Sequence, residues 1–288
     1  MNFAKLQGAG NDFVLVETGD VGRKWARVAV AVCNRRFGVG ADGLLLLLPS
    51  EVADVGMRIF NADGSEAEAC GNGLRCLVRY ALDRGLVAGR GDREVSIETV
   101  AGIRSARIRG ESGGSPEIQV GLGAPRFKAE DIPVSVGISA GLVDIKSMLS
   151  YTVTVESKEL GLNLVSMGNP HAVHFLKQSV ADFPLAQLGP GVEHHEIFPQ
   201  RANFEVARVL SREEIEARVW ERGVGETLAC GSGAAAVAVA AQLRGLVGRS
   251  VAIKLPGGVL DVAWDGSGEV LLGGPTEMVF TGKWLGEV

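Results

Sequence analysis

Four cysteines in 288 residues, 6% aromatics and no long apolar run are the scarcities of this chain, and each excludes something. So few cysteines cannot make a disulfide framework, and in a reducing compartment they are expected to stay thiols. Leu44–Leu48 and Ala234–Ala241 fall well short of the about 20 residues that cross a bilayer. The opening Met1-Asn2-Phe3-Ala4-Lys5-Leu6 lacks the charged-then-apolar pattern of a signal peptide, so a cytoplasmic location is expected. With a net charge of -5 and no basic stripe, the chain has no general attraction for nucleic acid or a membrane surface. There is no CxxC pair and no HExxH, Cys70 and Cys76 are separated by five residues, and the histidines are His171, His174, His194 and His195. None of this has zinc-ligand spacing, and no metal is expected. No GxGxxG follows a strand and no lysine sits in a Schiff-base setting, so neither a dinucleotide nor a pyridoxal cofactor is expected.

Glycine is abundant, at 40 residues, and short Val/Ile alternations recur between the glycines. That pattern predicts strands at 14–16, 56–60, 95–99, 106–108, 117–120, 151–155, 205–210, 251–254 and 270–272, with His171 in a further strand after Asn169-Pro170. Helices are predicted at 24–36, 73–84 and 233–244. The last contains Ala234–Ala241, with no polar face, and should be buried on every side. The segments 110–115 and 135–147 read as loops or peripheral strands.

One stretch occurs twice. Glu66-Ala67-Glu68-Ala69-Cys70-Gly71-Asn72-Gly73 returns 160 residues later as Glu226-Thr227-Leu228-Ala229-Cys230-Gly231-Ser232-Gly233. Over 58–87 against 218–247, 11 of 30 positions are identical without a gap, and both copies end in Arg-Gly-Leu-Val. The period is far above the 20 to 50 residues of solenoids; two similar domains, each about half the chain, fit it better. The glycine of Arg-Gly-Leu-Val is a helix C-cap candidate in both copies.

If each helix begins at the Gly-x-Gly, each cysteine lies at a helix N-terminus. Free N–H groups and the helix dipole there stabilise an anion, which should lower a thiol's pKa and offer a cradle to a carboxylate. Glycines at 71, 73, 231 and 233 would allow close approach or positive φ. A single cysteine of this kind is as readily a small buried hydrophobe, but two in register within a repeat suggest joint use. Cys33 and Cys76 have no repeat partner and read as core. Two equivalent thiols suit inversion at a carbon stereocentre, with a base on one face and an acid on the other. A redox dithiol is the rival, although such pairs usually sit as CxxC.

Six ordered segments carry a resemblance: 7–13 (QGAGNDF), 36–43 (RFGVGADG), 60–65 (FNADGS) running on to Cys70–Gly73, 168–171 (GNPH), 201–205 (RANFE) and 221–233 (ERGVGETLACGSG). In these the chain resembles the diaminopimelate epimerases, cofactor-independent enzymes of lysine and peptidoglycan precursor biosynthesis. The resemblance implies an α+β fold of two pseudo-two-fold-related domains, each a mixed β barrel or sandwich around a central helix, with the active site between them. It implies domains of about 1–122 plus 276–288 and 123–275, since the last strand returns to the first domain. Cys70 and Cys230 would be the acid–base pair, with Cys230 taking the proton in the LL-to-meso direction. His171 and Glu221 would hold the thiols in the right protonation states. Asn11, Asn61, Gly71, Asn72, Asn169, Asn203, Glu221, Arg222, Gly231 and Ser232 would bind the substrate.

The residue chemistry suits that set, because a diamino dicarboxylate needs donors for two carboxylates and acceptors for two ammoniums. Taken singly, the asparagines also read as turn residues and Glu221-Arg222 as a surface pair; the joint match favours the site. Proline racemases, also two-cysteine enzymes, typically carry His where Asn72 stands, and phenazine-pathway isomerases keep the fold without the cysteine pair. Three positions depart from the family pattern: Gly43, where some members have Gln; Ser232, where many have Thr; and Phe280, where some have a Tyr linked to dimer formation. A homodimer is expected.

Overall fold

The computed structural model describes residues 1–67, 70–87, 93–112, 115–135 and 143–286. The chain forms two compact units, Met1–Gly121 with Gly273–Val288, and Leu122–Leu272.

In the first unit Glu277–Lys283 pairs antiparallel with Asn2–Gly8, which pairs antiparallel with Asn11–Glu17. Asn11–Glu17 runs parallel to Gly43–Leu48, which is antiparallel to Val55–Asn61. Val55–Asn61 touches Arg93–Thr99 in parallel, and two antiparallel steps then lead through Gly102–Ser112 to Ser115–Gly121. Helix α1 (Trp25–Cys33) connects the parallel strands Asn11–Glu17 and Gly43–Leu48, and helix α2 (Gly71–Asp83) follows the short strand Glu66–Ala67. Strands from both ends of this sheet pack on α2, so the sheet curls round the helix, and the residues facing inward (Leu45, Ile59, Leu74, Leu77, Ile97 and Ile118 among them) are buried. At about 25 cal/mol per Å² of apolar area, this enclosure is the main stabilising contribution.

The second unit repeats the same sequence of pairings. Met148–Val155, Lys158–Ser166 and Pro170–Phe175 are successively antiparallel; Pro170–Phe175 is parallel to Asn203–Val209; and Asn203–Val209 is antiparallel to Glu214–Glu221. Glu214–Glu221 is parallel to Ser250–Leu255, which is antiparallel to Gly258–Ala263. Helix α3 (Leu185–Glu193) takes the place of α1, and α4 (Gly231–Leu243) the place of α2. The duplication is therefore wider in structure than the 30-residue sequence match. Within that match it is register-true: Ile59 faces Ala67 and Phe60 faces Glu66, while Val219 faces Thr227 and Trp220 faces Glu226. Every residue from Ala234 to Ala241 is buried, as an all-apolar helix requires.

Both central helices end alike. After Arg84, Gly85 takes φ +69°, its N–H reaches Leu82 O and the Leu86 N–H reaches Ala81 O; after Arg244, Gly245 takes φ +74° with the same pair of bonds to Gln242 and Ala241. This 6→1 and 5→2 pattern needs a left-handed residue, which glycine adopts without Cβ strain. By contrast, Gly73 and Gly233 are helical. Their need for glycine is spatial: a Cβ would stand 3.1 Å from Leu45 at 73, and 3.0 Å from Glu205 Oε1 at 233.

Some expectations change. The helix expected over 24–36 stops at Cys33, because Asn34 is extended and its Oδ1 accepts from the N–H groups of Arg36 and Phe37, an Asx turn that competes with the helix. Helix α3 was not foreseen; Gly189-Pro190-Gly191 reads as a turn, yet Gly189 lies in the helix where a Cβ would meet the Trp220 ring at 2.5 Å. Strands Asn2–Gly8, Gly43–Leu48, Lys158–Ser166, Glu214–Glu221 and Gly258–Ala263 were also missed, whereas the last strand, Glu277–Lys283, lies in the segment that the resemblance assigned to the first domain. Residues 113–114 and 136–142, in segments read as loops, lie outside the described residues; strands Gly102–Ser112, Ser115–Gly121 and Val143–Ile145 flank them.

Candidate active site

Each repeated cysteine is the N-cap of its helix. Cys70 and Cys230 have extended backbones, and each Sγ accepts the N–H of the residue three on, Gly73 and Gly233, at 3.4 Å in both. The Cys-Gly-x-Gly spacing thus places a sulfur where serine or aspartate commonly caps a helix.

Around Cys70 stand two asparagines of the expected set. Asn11 Oδ1 accepts from the Cys70 thiol at 3.9 Å and from Asn72 Nδ2 at 3.4 Å, and Asn72 Oδ1 accepts from Arg75 at 2.7 Å. Asn11 is held in turn by Asp42, whose Oδ2 accepts from its Nδ2 at 2.8 Å. Behind it Arg35 bridges Asp12 and Asp42, and Lys5 reaches Asp12. Burial alone would raise the Asp12 carboxyl, but hydrogen bonds from Arg35 and Lys5 outweigh it and hold Asp12 well below the usual carboxylate range. Asn61 is exposed, and its Nδ2 donates to Ser65 Oγ at 2.9 Å; no hydrogen bond joins it to Asn11 or Asn72 among the described residues. Gly43 faces Asn61 across the ladder, and a Cβ there would stand 2.9 Å from Phe60 O.

Around Cys230 the arrangement is richer. Ser232 Oγ lies 3.5 Å from Cys230 Sγ, Asn169 Nδ2 donates to Ser232 Oγ at 3.5 Å, and Asn169 Oδ1 faces His171 Nε2 at 2.9 Å. His171 Nδ1 meets Glu205 Oε1 at 2.7 Å, with both side chains wholly buried. Asn203 Nδ2 donates to Pro170 O at 3.1 Å, and its Oδ1 accepts the Arg222 N–H at 2.8 Å. Glu221 Oε1 accepts from Thr227 at 2.5 Å. Arg222 is exposed and donates to Gln200 O at 3.1 Å. Glu193, nearly buried, accepts from Trp220 Nε1 and from the Gly223 N–H, fixing the turn that follows Arg222. Gly71 and Gly231 open their helices.

The expectation that a helix N-terminus lowers the thiol pKa is overturned for Cys230. Burial, with 7% of the residue exposed, together with the charge of Glu221 pushes the thiol well above its ordinary value. The Ser232 hydroxyl and the Gly233 N–H pull it down but do not prevail. Cys33 and Cys76 are buried and pushed up to about 12 by burial, as inert core thiols are. Sequence reading missed Glu205 and Glu193 as contributors. Glu205 sits within a quoted motif, but only the strand register setting His171 opposite Asn203, and so Val173 opposite Glu205, shows its proximity to the histidine. Among the described residues no group of three or more His, Cys, Asp or Glu could hold a metal ion, and no helix is long and apolar enough to cross a membrane.

The fold is shared with phenazine-biosynthesis and racemase proteins of known structure. A PhzF-family phenazine biosynthesis protein of Bacillus anthracis superposes with a TM-score of 0.70 at 19% identity, covering 99% of each chain. A probable proline racemase from Agrobacterium radiobacter does so at 0.69 and 15%, covering 98% of this chain and 92% of that one. At such identities the likeness is one of fold alone. Sequence goes further: the family model for diaminopimelate epimerase matches residues 3–128 and 163–279. Diaminopimelate epimerase of Moorella thermoacetica is 46% identical over 287 residues, covering 99% of both chains, and that of Acetivibrio thermocellus 42% over 285, covering 98% of both. The chain belongs to the diaminopimelate epimerase family.

Proposed function

We propose that this protein interconverts LL- and meso-diaminopimelate without a cofactor, by two-base proton transfer between Cys70 and Cys230, and that it serves lysine and peptidoglycan precursor biosynthesis in the cytoplasm. The observation that carries the reading is the pair of N-capping thiols, alike in backbone and in their 3.4 Å bonds to Gly73 and Gly233, in a chain whose near-full-length relatives bear that name.

In the LL-to-meso direction Cys230 thiolate removes the α-proton and becomes the thiol, while Cys70 gives its own proton to the opposite face and becomes the thiolate. The roles exchange in reverse. The raised pKa of Cys230 suits a base that must be strong toward a carbon acid. Negative charge growing on the substrate α-carboxylate is stabilised by the N–H groups that open α2 and α4, at Gly71-Asn72 and Gly231-Ser232. Asn11, Asn61, Asn169 and Asn203 with Glu221 and Arg222 pair with the ammonium and carboxylate groups. His171 and Glu221 tune the thiols; the charge of Glu221 is felt by Cys230.

A homodimer is part of the proposal, supported by Met278, Val279 and Phe280 on the exposed strand Glu277–Lys283, where the Phe280 ring meets Phe3 edge-on at 5.9 Å. Light scattering of the purified protein tests it.

The decisive experiment for the reaction is incubation with LL-diaminopimelate in deuterated water, with L-proline and L-glutamate as alternative substrates. Inversion of diaminopimelate with one deuterium at the inverted carbon is expected. Inversion without label, or turnover of proline in its place, overturns the reading.

A further inference from the structure

Among the described residues Glu205 is hydrogen-bonded neither to the thiol nor to any residue assigned to the substrate, but it holds His171 and so ends an unbroken line of contacts that reaches the reacting sulfur. From the inside outward the line runs Glu205 Oε1, His171 Nδ1 (2.7 Å), His171 Nε2 to Asn169 Oδ1 (2.9 Å), Asn169 Nδ2 to Ser232 Oγ (3.5 Å) and Ser232 Oγ to Cys230 Sγ (3.5 Å). Strand Pro170–Phe175 with Asn169 just before it, strand Asn203–Val209, and the N-cap and first turn of α4 supply it.

The donors and acceptors fix its direction. One proton lies between Glu205 and Nδ1. With the buried Glu205 carboxyl raised, its hydroxyl donates to Nδ1, so the neutral ring's hydrogen lies on Nε2 and is given to the carbonyl oxygen of Asn169. The Asn169 amide then turns its N–H toward Ser232. A serine oxygen that accepts from Asn169 has its hydrogen free to point at Cys230. Every hydrogen bond beyond the shared proton is thus directed at the sulfur, which is the arrangement a thiolate needs.

We infer that Glu205 is a positioning residue that locks the polarity of this chain, so that the Ser232 hydroxyl always donates to Cys230 and favours the base form of that thiol. The inference rests on Cys230 being the base of the proposed epimerisation. It has a physical motive: burial and the charges of Glu221 and, more weakly, Glu205 disfavour the Cys230 thiolate, while Ser232 and the Gly233 N–H are the donors that favour it, so Glu205 can favour the thiolate only through the line that ends at Ser232.

Of the surrounding charged groups only Glu221 acts on the line, and the basic ones are committed elsewhere. Glu221, at the end of Glu214–Glu221, acts on both Cys230 and Glu205. Arg218 of that strand is committed to Glu226, Arg208 to Glu216, His174 to Gly161 O, and Arg244 of α4 to Asn163. Gly233 is part of the same construction, since a Cβ at that position would press on Glu205 Oε1 at 3.0 Å.

The test uses Glu205→Gln, S232A and the double variant, with kcat/KM and KM followed against pH, together with 15N spectra of the histidine rings in the unaltered protein. Glu205→Gln keeps the shape but can present either an N–H or a carbonyl oxygen to Nδ1, so the ring tautomer is no longer fixed and the ascending limb of kcat/KM should move to higher pH. At neutral pH a three- to thirtyfold loss is expected, closing above about pH 9, with KM within twofold. S232A should displace the limb in the same sense, and the double variant no further than the larger single effect, as members of one chain do. In the unaltered protein the neutral His171 ring should read as the Nε2–H tautomer. A limb that moves to lower pH, as removal of a nearby negative charge by itself would cause, overturns the inference; so does one that stays, displacements that add, or an unprotonated Nε2. The ring spectra hold the inference open to refutation even if Glu205→Gln does not fold. Absence of any α-proton exchange in the unaltered protein would instead refute the epimerase reading, which keeps the two failures apart.

Discussion

Arg218 holds Glu226 through two hydrogen bonds, Nε to Oε1 at 2.7 Å and Nη2 to Oε2 at 3.0 Å. Its repeat equivalent, Arg58, holds Glu66 in the same way at 2.6 and 2.9 Å. In both units this fork ties the strand before the turn to the segment that leads into the capping cysteine. The two arginines differ in what else they bind: Arg218 Nη1 also donates to Val180 O and Phe183 O. Arg218→Met should therefore cost about 1 to 3 kcal/mol, because two further charge-assisted hydrogen bonds go, although Val180 O keeps the Phe183 N–H and Phe183 O the Leu185 N–H, whereas Glu226→Gln should cost at most about 1 kcal/mol. Urea unfolding of the two variants measures this, and equal losses would contradict it.

Removal of either capping sulfur separates catalysis from stability. Cys70→Ala and Cys230→Ala should each abolish inversion while losing only the cap, about 0.5 to 2 kcal/mol. Cys→Ser keeps a capping acceptor, so those variants should unfold close to the parent yet remain nearly inactive. Full activity in either alanine variant would be incompatible with two-base catalysis.

Thiol labelling should follow burial. With iodoacetamide near pH 8, Cys33 and Cys76 should stay unmodified until the protein unfolds, since burial carries both to about 12, while the half-buried Cys70 reacts in the folded state. Peptide mass spectrometry reads the order, and early labelling of Cys76 would count against the packing described.

Asp12 makes a prediction in acid. Its folded pKa lies below the unfolded value of about 3.9, so the unfolded chain binds the proton more readily. The stability Asp12 contributes is fully present above about pH 4 and drains away as pH falls below it. Asp12→Asn should be less stable than the parent at pH 6, with the difference narrowing as pH drops below 4. A difference that is constant or grows in acid would refute the Arg35–Asp12–Lys5 account.

Gly43→Gln tests a departure from the family. The added Cβ meets Phe60 O at 2.9 Å in a paired strand, so a loss of about 1 to 3 kcal/mol is expected, seen as a lower unfolding midpoint. A variant as stable as the parent would show that the Gly43–Asn61 ladder can shift.

The repeat, the two thiols and the ends of α2 and α4 were legible in the sequence because each depends on residues within a few positions of one another. Cys-Gly-x-Gly places a sulfur on its own helix start, Arg-Gly-Leu-Val closes the helix, and eight consecutive apolar residues can only be enclosed. Elements whose form depends on distant partners were not legible. Helix α3 persists through Gly189-Pro190-Gly191 because the Trp220 ring packs on Gly189. The strand Lys158–Ser166, likewise, takes its form from the ladder that Met148–Val155 and Pro170–Phe175 offer it on either side.

The electrostatics divide along the same line. Taken alone, the sequence determined which two thiols are related by the repeat and that each stands at a helix start, since both are matters of local spacing. Tertiary structure decided what those thiols feel. Enclosure of Cys230 and the approach of Glu221 reverse the sign expected from the helix dipole, and the parallel register of Pro170–Phe175 against Asn203–Val209 brings Glu205 to His171 across 34 residues of chain. A pKa is set by charges and solvent within a few ångströms, and those neighbours come from strands that the sequence keeps far apart.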